Sequence, residues 1–275
     1  MNAMNNFAVM SYSFHGLKNV GAINLFGYLE TVRYRYDLRT ADIWNGFIES
    51  YDEAYIRLVK QNLEERDLTV VNLCCDGAHV WDNDPEKREK YEKMAWDCLR
   101  FAKGVGAKSI RIDAGVREMK FSDEQLAYVA AKYKEYCAFA AEFGAKVGTE
   151  NHWGATTNLK ELNRLFDAME GVDNFAMLLH LGNWTDEGEA QRAQNDEAMI
   201  SKAMHIHINF EHCVDADNVL PPLMKAGYPG CWTVESHLST NEYNNVAFQL
   251  AQLKRVIAPM NYAGHWSDAP PFVKE

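Results

Sequence analysis

The chain has no apolar run of the ~18 residues that a membrane-spanning helix needs. Its opening residues, MNAMNNFAVMSYSF, carry no basic segment ahead of an apolar one, so no secretory signal is read there. Positive charge is scarce: 28 Lys+Arg stand against 39 Asp+Glu, a net charge of −11 at pH 7. A nucleic-acid or anionic-membrane partner needs a basic face, and this balance argues against both. The six cysteines, Cys74, Cys75, Cys98, Cys137, Cys213 and Cys231, form neither a CxxC pair nor a finger-like spacing. Cys98 and Cys137 fall inside helical patterns, as buried reduced thiols do. A cytoplasmic enzyme or binding protein is the expectation. There is no GxGxxG turn, no nucleophilic Ser or Cys motif and no low-complexity linker. With 47% apolar and 24% charged residues the composition is globular, and 1–275 reads as one domain.

What is present is alternation. Short β-like runs end at His15, Trp44, Asp76, Asp113, Asn151, Asn183, Asn209 and Ser236, and each is followed by an amphipathic stretch. Helix signals are explicit: Asp84-Pro85 by cap and first-turn logic, Gly144 as a stop, Asn158 as a cap. A polar helix is expected near 187–200 and a last one over VAFQLAQLKRVI. The tail after Ala258, with Pro270 and Pro271, reads as irregular and packed on the body. Eight βα units in one domain length predict a parallel (β/α)8 TIM barrel, α/β in class. An open doubly wound sheet is the rival, and the missing Gly-rich turn after the first strand speaks against it.

In such a barrel the chemistry sits at the C-terminal ends of the strands. Glu150, His180, His207 and Glu235 each lie near the end of an apolar run, on four successive strands. A charged group there is costly unless paired. One His at a strand end is more often scaffolding, and one Glu more often pairs with an Arg. Two carboxylates and two imidazoles at matching positions instead predict a site for one divalent metal ion. The donor set favours Mn, Fe, Co, Ni or Zn over Mg.

The same residues carry a resemblance. Thr149-Glu150-Asn151-His152-Trp153-Gly154, Leu179-His180-Leu181-Gly182-Asn183, His205-Ile206-His207-Ile208-Asn209 and Thr233-Val234-Glu235-Ser236-His237 look like the strand-end motifs of the xylose isomerase-like barrel superfamily. That group contains sugar phosphate isomerases/epimerases, ketose epimerases and related dehydratases. The resemblance implies metal ligands on strands five to eight, carried over to Glu150, His180, His207 and Glu235. It selects His207 over His205, which lies deeper and reads as structural. His180 stands where the pattern has an Asp. With two neutral imidazoles the loaded site is neutral rather than anionic, so the cation polarises a bound carbonyl more strongly.

Around this set, His152 is a candidate general base or acid. Asn183 and His237 are candidate substrate contacts, and Trp44 a surface for a sugar ring. Arg111 and Asp113 either pair with each other or meet the substrate. Phosphate handling has little support, because Gly227 and Gly230 make no phosphate loop and few basic residues end strands. The expected activity is therefore metal-dependent isomerisation or epimerisation of a keto sugar, with Glu150 and Glu235 moving the proton through an enediolate. A lyase or dehydratase acting on a 3-keto-glycoside shares that start. A non-catalytic sugar-binding barrel is a further alternative, opposed by the intact Glu pair. A metal-dependent endonuclease is opposed by the net charge. The expected partner is a small carbohydrate, and the outer helices are compatible with a homo-oligomer.

Overall fold

A computed structural model describes residues 7–185 and 188–260. Eight strands run in chain order: β1 (Phe7–Val9), β2 (Thr40–Trp44), β3 (Thr69–Cys75), β4 (Ser109–Ile112), β5 (Lys146–Glu150), β6 (Phe175–His180), β7 (Ala203–Ile208) and β8 (Trp232–Val234). All pairings are parallel, in the order β1-β8-β7-β6-β5-β4-β3-β2. A single bridge, Met10 to Asp42, joins the two ends and closes the barrel. Parallel strands buried on both faces need near-continuous apolar runs, and FAMLLH in β6 is buried throughout. No helix among the described residues is long and apolar enough to cross a membrane.

The helices start and stop where local chemistry directs them. Pro85–Val105 begins on the Asp84 carboxylate, with Pro at its first position, and ends at Gly106 in the left-handed region, φ 73°. Asp123–Ala141 opens with a reciprocal capping box between Ser122 and Gln125. Leu159–Ala168 opens on the Asn158 side chain. The last helix, Glu242–Met260, starts four residues before the expected run and continues past Ala258. Residues 261–275 and Glu187, expected in the tail and in the seventh helix, lie outside the described residues, and that helix spans Glu189–Met199.

Two expectations change in detail. The first run does not stay extended to Phe14, because β1 ends at Val9 and Ser11–Phe14 form a 3-10 turn. The serine hydroxyls continue the pairing that the backbone abandons. Ser11 Oγ accepts from Trp44 N at 2.8 Å, and Ser13 Oγ accepts from Ser236 N at 2.9 Å. The stretch read as one helix over 25–36 is a short α-helix, Leu25–Glu30, followed by a π-helical turn, Thr31–Arg35.

Period-two alternation turns one set of side chains into the barrel. A polar layer results: Asp42, Asn72, Ser109, His205 and Thr233 are all buried and linked by hydrogen bonds. Gly148 faces β6 at close range, since a Cβ there would lie 1.5 Å from the Ala176 carbonyl oxygen. Gly148→Ala is expected to destabilise the fold by about 3 kcal/mol, the upper end for overpacking. Urea denaturation reads this as a lower midpoint at unchanged slope, and an unmoved midpoint would refute the close approach.

Candidate metal centre and active site

Register brings the four strand-end candidates together. His180 on β6 is the Cα partner of His207 on β7, and Glu150 ends β5 beside Leu178 of β6. Asn151 holds this junction: its Nδ2 donates to His180 O at 2.8 Å and its Oδ1 accepts from His180 N at 2.8 Å. His180 Nδ1 lies 3.1 Å from Glu150 Oε1 and 3.3 Å from Glu235 Oε2. His207 Nδ1 lies 3.0 Å from the same Glu235 oxygen. One donor atom from each of the four residues falls within 4.8 Å of all the others, and all four residues are buried.

The atoms fit a cation. His207 Nδ1 and Glu235 Oε2 are buried and, despite their proximity, have no hydrogen-bonding partner. Two unsatisfied buried groups are costly in a barrel otherwise rich in hydrogen bonds. Bonds of about 2.1 Å to a tetrahedral ion place ligand atoms about 3.4 Å apart, close to the separations seen here. Charge supports the same reading. Burial would raise the Glu235 carboxyl, but His207, His237 and His180 outweigh it and hold it well below the usual carboxylate range. Glu150 is likewise lowered, with burial overcome by His152, Arg111 and His180.

Around the four, Arg111 is enclosed by acids. Its Nη1 lies 2.9 Å from Asp76 and 2.9 Å from Asp113, and its Nε 3.1 Å from Glu150 Oε2. Asp113 is buried beneath the mouth and also meets His152 Nδ1 at 3.0 Å. The two carboxylates Glu150 and Asp113 overcome the effect of burial and raise His152 to about 9. Asn183 donates to the backbone oxygens of Asn151 at 2.6 Å and His152 at 3.0 Å, so its amide braces the loop after β5. His237 is exposed at the mouth, with Nε2 3.7 Å from Glu235. Trp44 Nε1 donates to Asp76 at 2.7 Å. His205 lies deeper, between Asp42 and Thr233, outside the cluster.

A mouth cavity of about 470 Å³ opens above these groups, and Trp44, Arg111, His152, Asn183 and His237 line it. Met10, Tyr12, Asn209 and Glu211 also line it, and none of the four stands out in the sequence. Tyr12, edge-on to Trp44 at 5.0 Å, was hidden because its run was taken as strand. Asn209 and Glu211 follow β7, where the Asn after His-Ile-His-Ile was the available signal. A second cavity of about 620 Å³ lies beside the first and shares Asn209 and Glu211 with it. All six cysteines are free, and all but Cys231 are buried.

A closed ring of eight parallel strands with buried carboxylates and imidazoles at its C-terminal rim defines a TIM-barrel protein with a metal-binding-capable site. Residues 35–256 match the family described as xylose isomerase-like TIM barrel, and the chain belongs to that family. No curated protein matches the chain in sequence. Among solved structures, the E. coli 3-keto-D-glucoside 4-epimerase YcjR has a TM-score of 0.71 at 18% identity, over 91% of this chain and 99% of that one. The D-allulose 3-epimerase of Methylomonas sp. gives 0.71 at 15% identity, over 92% and 98%. The IolI protein with a bound zinc atom gives 0.69 at 13% identity, over 92% and 98%. At these identities the likeness is one of fold.

Proposed function

We propose that this chain is a metal-dependent isomerase or epimerase acting on a keto sugar or a keto-sugar derivative. The observation that carries the reading is the convergence of Glu150, His180, His207 and Glu235, with two of their buried atoms left without partners. Similarity in fold to a keto-glucoside epimerase, an allulose epimerase and a zinc-holding barrel supports the same class. The mouth offers acids and aromatics, and the one arginine in its lining, Arg111, is already matched by three carboxylates, which favours a neutral sugar over a phosphorylated one.

Glu150, His180, His207 and Glu235 would hold the divalent cation, which when bound would supply electrostatic stabilisation of negative charge on the substrate carbonyl oxygen. Glu150 and Glu235 rise from strands separated by β6 and β7, so they reach a bound sugar from different sides. One carboxylate takes the proton from the carbon next to the carbonyl, and the substrate becomes an enediolate. The other returns a proton, to the opposite face in an epimerisation or to the neighbouring carbon in an isomerisation. Arg111 fixes Glu150 from behind, and Asn183 braces the loop that carries His152. Elimination is the second reading, favoured by His152: half-exposed at the mouth and hydrogen-bonded to Asp113, it stands ready to protonate a leaving group.

The test is turnover in D₂O with keto-hexoses and 3-keto-glucosides. Deuterium is expected at the carbon next to the carbonyl. His152→Ala is expected to slow elimination more than epimerisation. Products free of deuterium at that carbon, from a substrate that is turned over, would refute proton abstraction from a solvent-exchanging base.

A further inference from the structure

Asp42 stands on β2, facing β7 across the barrel interior, and is fully buried. Its Oδ2 lies 2.8 Å from Nε2 of His205 and 2.8 Å from Nε2 of His207. Its Oδ1 accepts from Asn72 Nδ2 at 3.0 Å, and Asn72 Oδ1 in turn accepts from Ser109 Oγ at 2.9 Å. The order of donors along this chain is therefore fixed. An ionised carboxylate accepts hydrogen bonds and donates none. Both imidazoles must then present Nε2–H to Asp42.

A neutral imidazole carries one N–H, so His207 Nδ1 is left with its lone pair. That lone pair faces Glu235 Oε2 at 3.0 Å, an arrangement of two acceptors that repel unless a proton or a metal ion lies between them. We propose that Asp42 is the positioning residue of the metal centre: by binding Nε2–H of His207 it fixes the tautomer and turns the Nδ1 lone pair toward the cation. The proposal rests on reading the four-residue cluster as a metal centre. It also accounts for the unequal fates of the two histidines in His-Ile-His. His205 hands its Nε2 to the same carboxylate oxygen and to Thr233 Oγ1 at 2.8 Å, one layer below the cluster.

The experiment uses the full chain, with Zn²⁺ alone as probe. Calorimetric titration is expected to give one site per chain in the wild type, with affinity 10- to 100-fold weaker in Asp42→Asn, as when an outer hydrogen-bond partner of a ligand is lost. Imidazole ¹⁵N spectra of the metal-free wild type are expected to show Nε2–H on His207, and those of Asp42→Asn a shift toward Nδ1–H. Thr233→Val removes only the second partner of His205 and is expected to leave Zn²⁺ affinity and the His207 tautomer unchanged. An Nε2 on His207 without its proton in the metal-free wild type overturns the proposal without any variant having to fold. So does an Asp42→Asn protein with wild-type affinity and tautomer. A wild type that takes up no Zn²⁺ defeats the metal reading instead, while the tautomer still reports on Asp42.

Discussion

A His207→Ala variant is expected to bind its divalent cation more than about 100-fold more weakly than the wild type, a larger loss than removal of an outer partner brings. The expectation follows from burial. His207 has no accessible surface, its Nδ1 has no partner within the protein, and no other side chain within the cluster takes its place. Water entering the vacated space would supply an oxygen, but one without the fixed direction that Asp42 gives the imidazole. Glu150→Ala is expected to fall in the same range, because it removes one of the two carboxylate ligands and the group that stands between Arg111 and the cluster. Elemental analysis and competition against a chelator measure both, with circular dichroism checking that each variant is folded. Unchanged metal content in both would overturn the ligand set.

The largest loss of activity is expected from Glu150→Gln and Glu235→Gln. An amide keeps the size of the carboxylate and one oxygen for a cation, but it cannot take a proton at neutral pH. Positioned acid–base groups contribute about 10²- to 10⁴-fold, and each variant is expected to lose rate in that range. The effect should appear in kcat when metal is supplied in excess, which separates lost proton transfer from lost metal. The two need not fall equally. Glu150 is held on one side by Arg111, whereas Glu235 faces only histidines, so the Gln at 150 also disturbs an ion pair. Full activity in both variants would end the proposed mechanism.

Much of this was legible in the chain because a parallel barrel writes itself plainly. Strands buried on both faces appear as apolar runs, and TADIW, read as 40–44, is β2 as found. A charged residue inside such a run must have a partner, which is why Glu150, His180, His207 and Glu235 stood out. Asp42 obeys the same rule, with its pairing to His205 and His207 closed across the barrel, between strands far apart in sequence. Nothing local in TADIW shows that partner. Tyr12 was missed for the opposite reason. Ser11 and Ser13 alternate like a strand, yet their hydroxyls replace backbone pairing and let the chain turn. The two-residue spacing of Arg111 and Asp113 puts them on one strand face, where they pair, but the enclosing acids Asp76 and Glu150 come from other strands.

At the seam between β1 and β2, side chains take over from backbone pairing. Elsewhere adjacent strands are laced by runs of backbone pairs, while here one bridge is joined by side-chain hydroxyls: Ser11 accepts from Trp44 N, Thr40 donates to Phe7 O, and Tyr28 OH reaches both Val9 O and Asp42 O. Tyr12 and Trp44 sit beside the seam at the mouth, and the cluster residues lie on or just beyond β5 to β8, the last of which is the other neighbour of β1. Asp42 belongs both to the bridge that closes the ring and to the hydrogen bond on His207, so closure of the barrel and orientation of that imidazole share one residue.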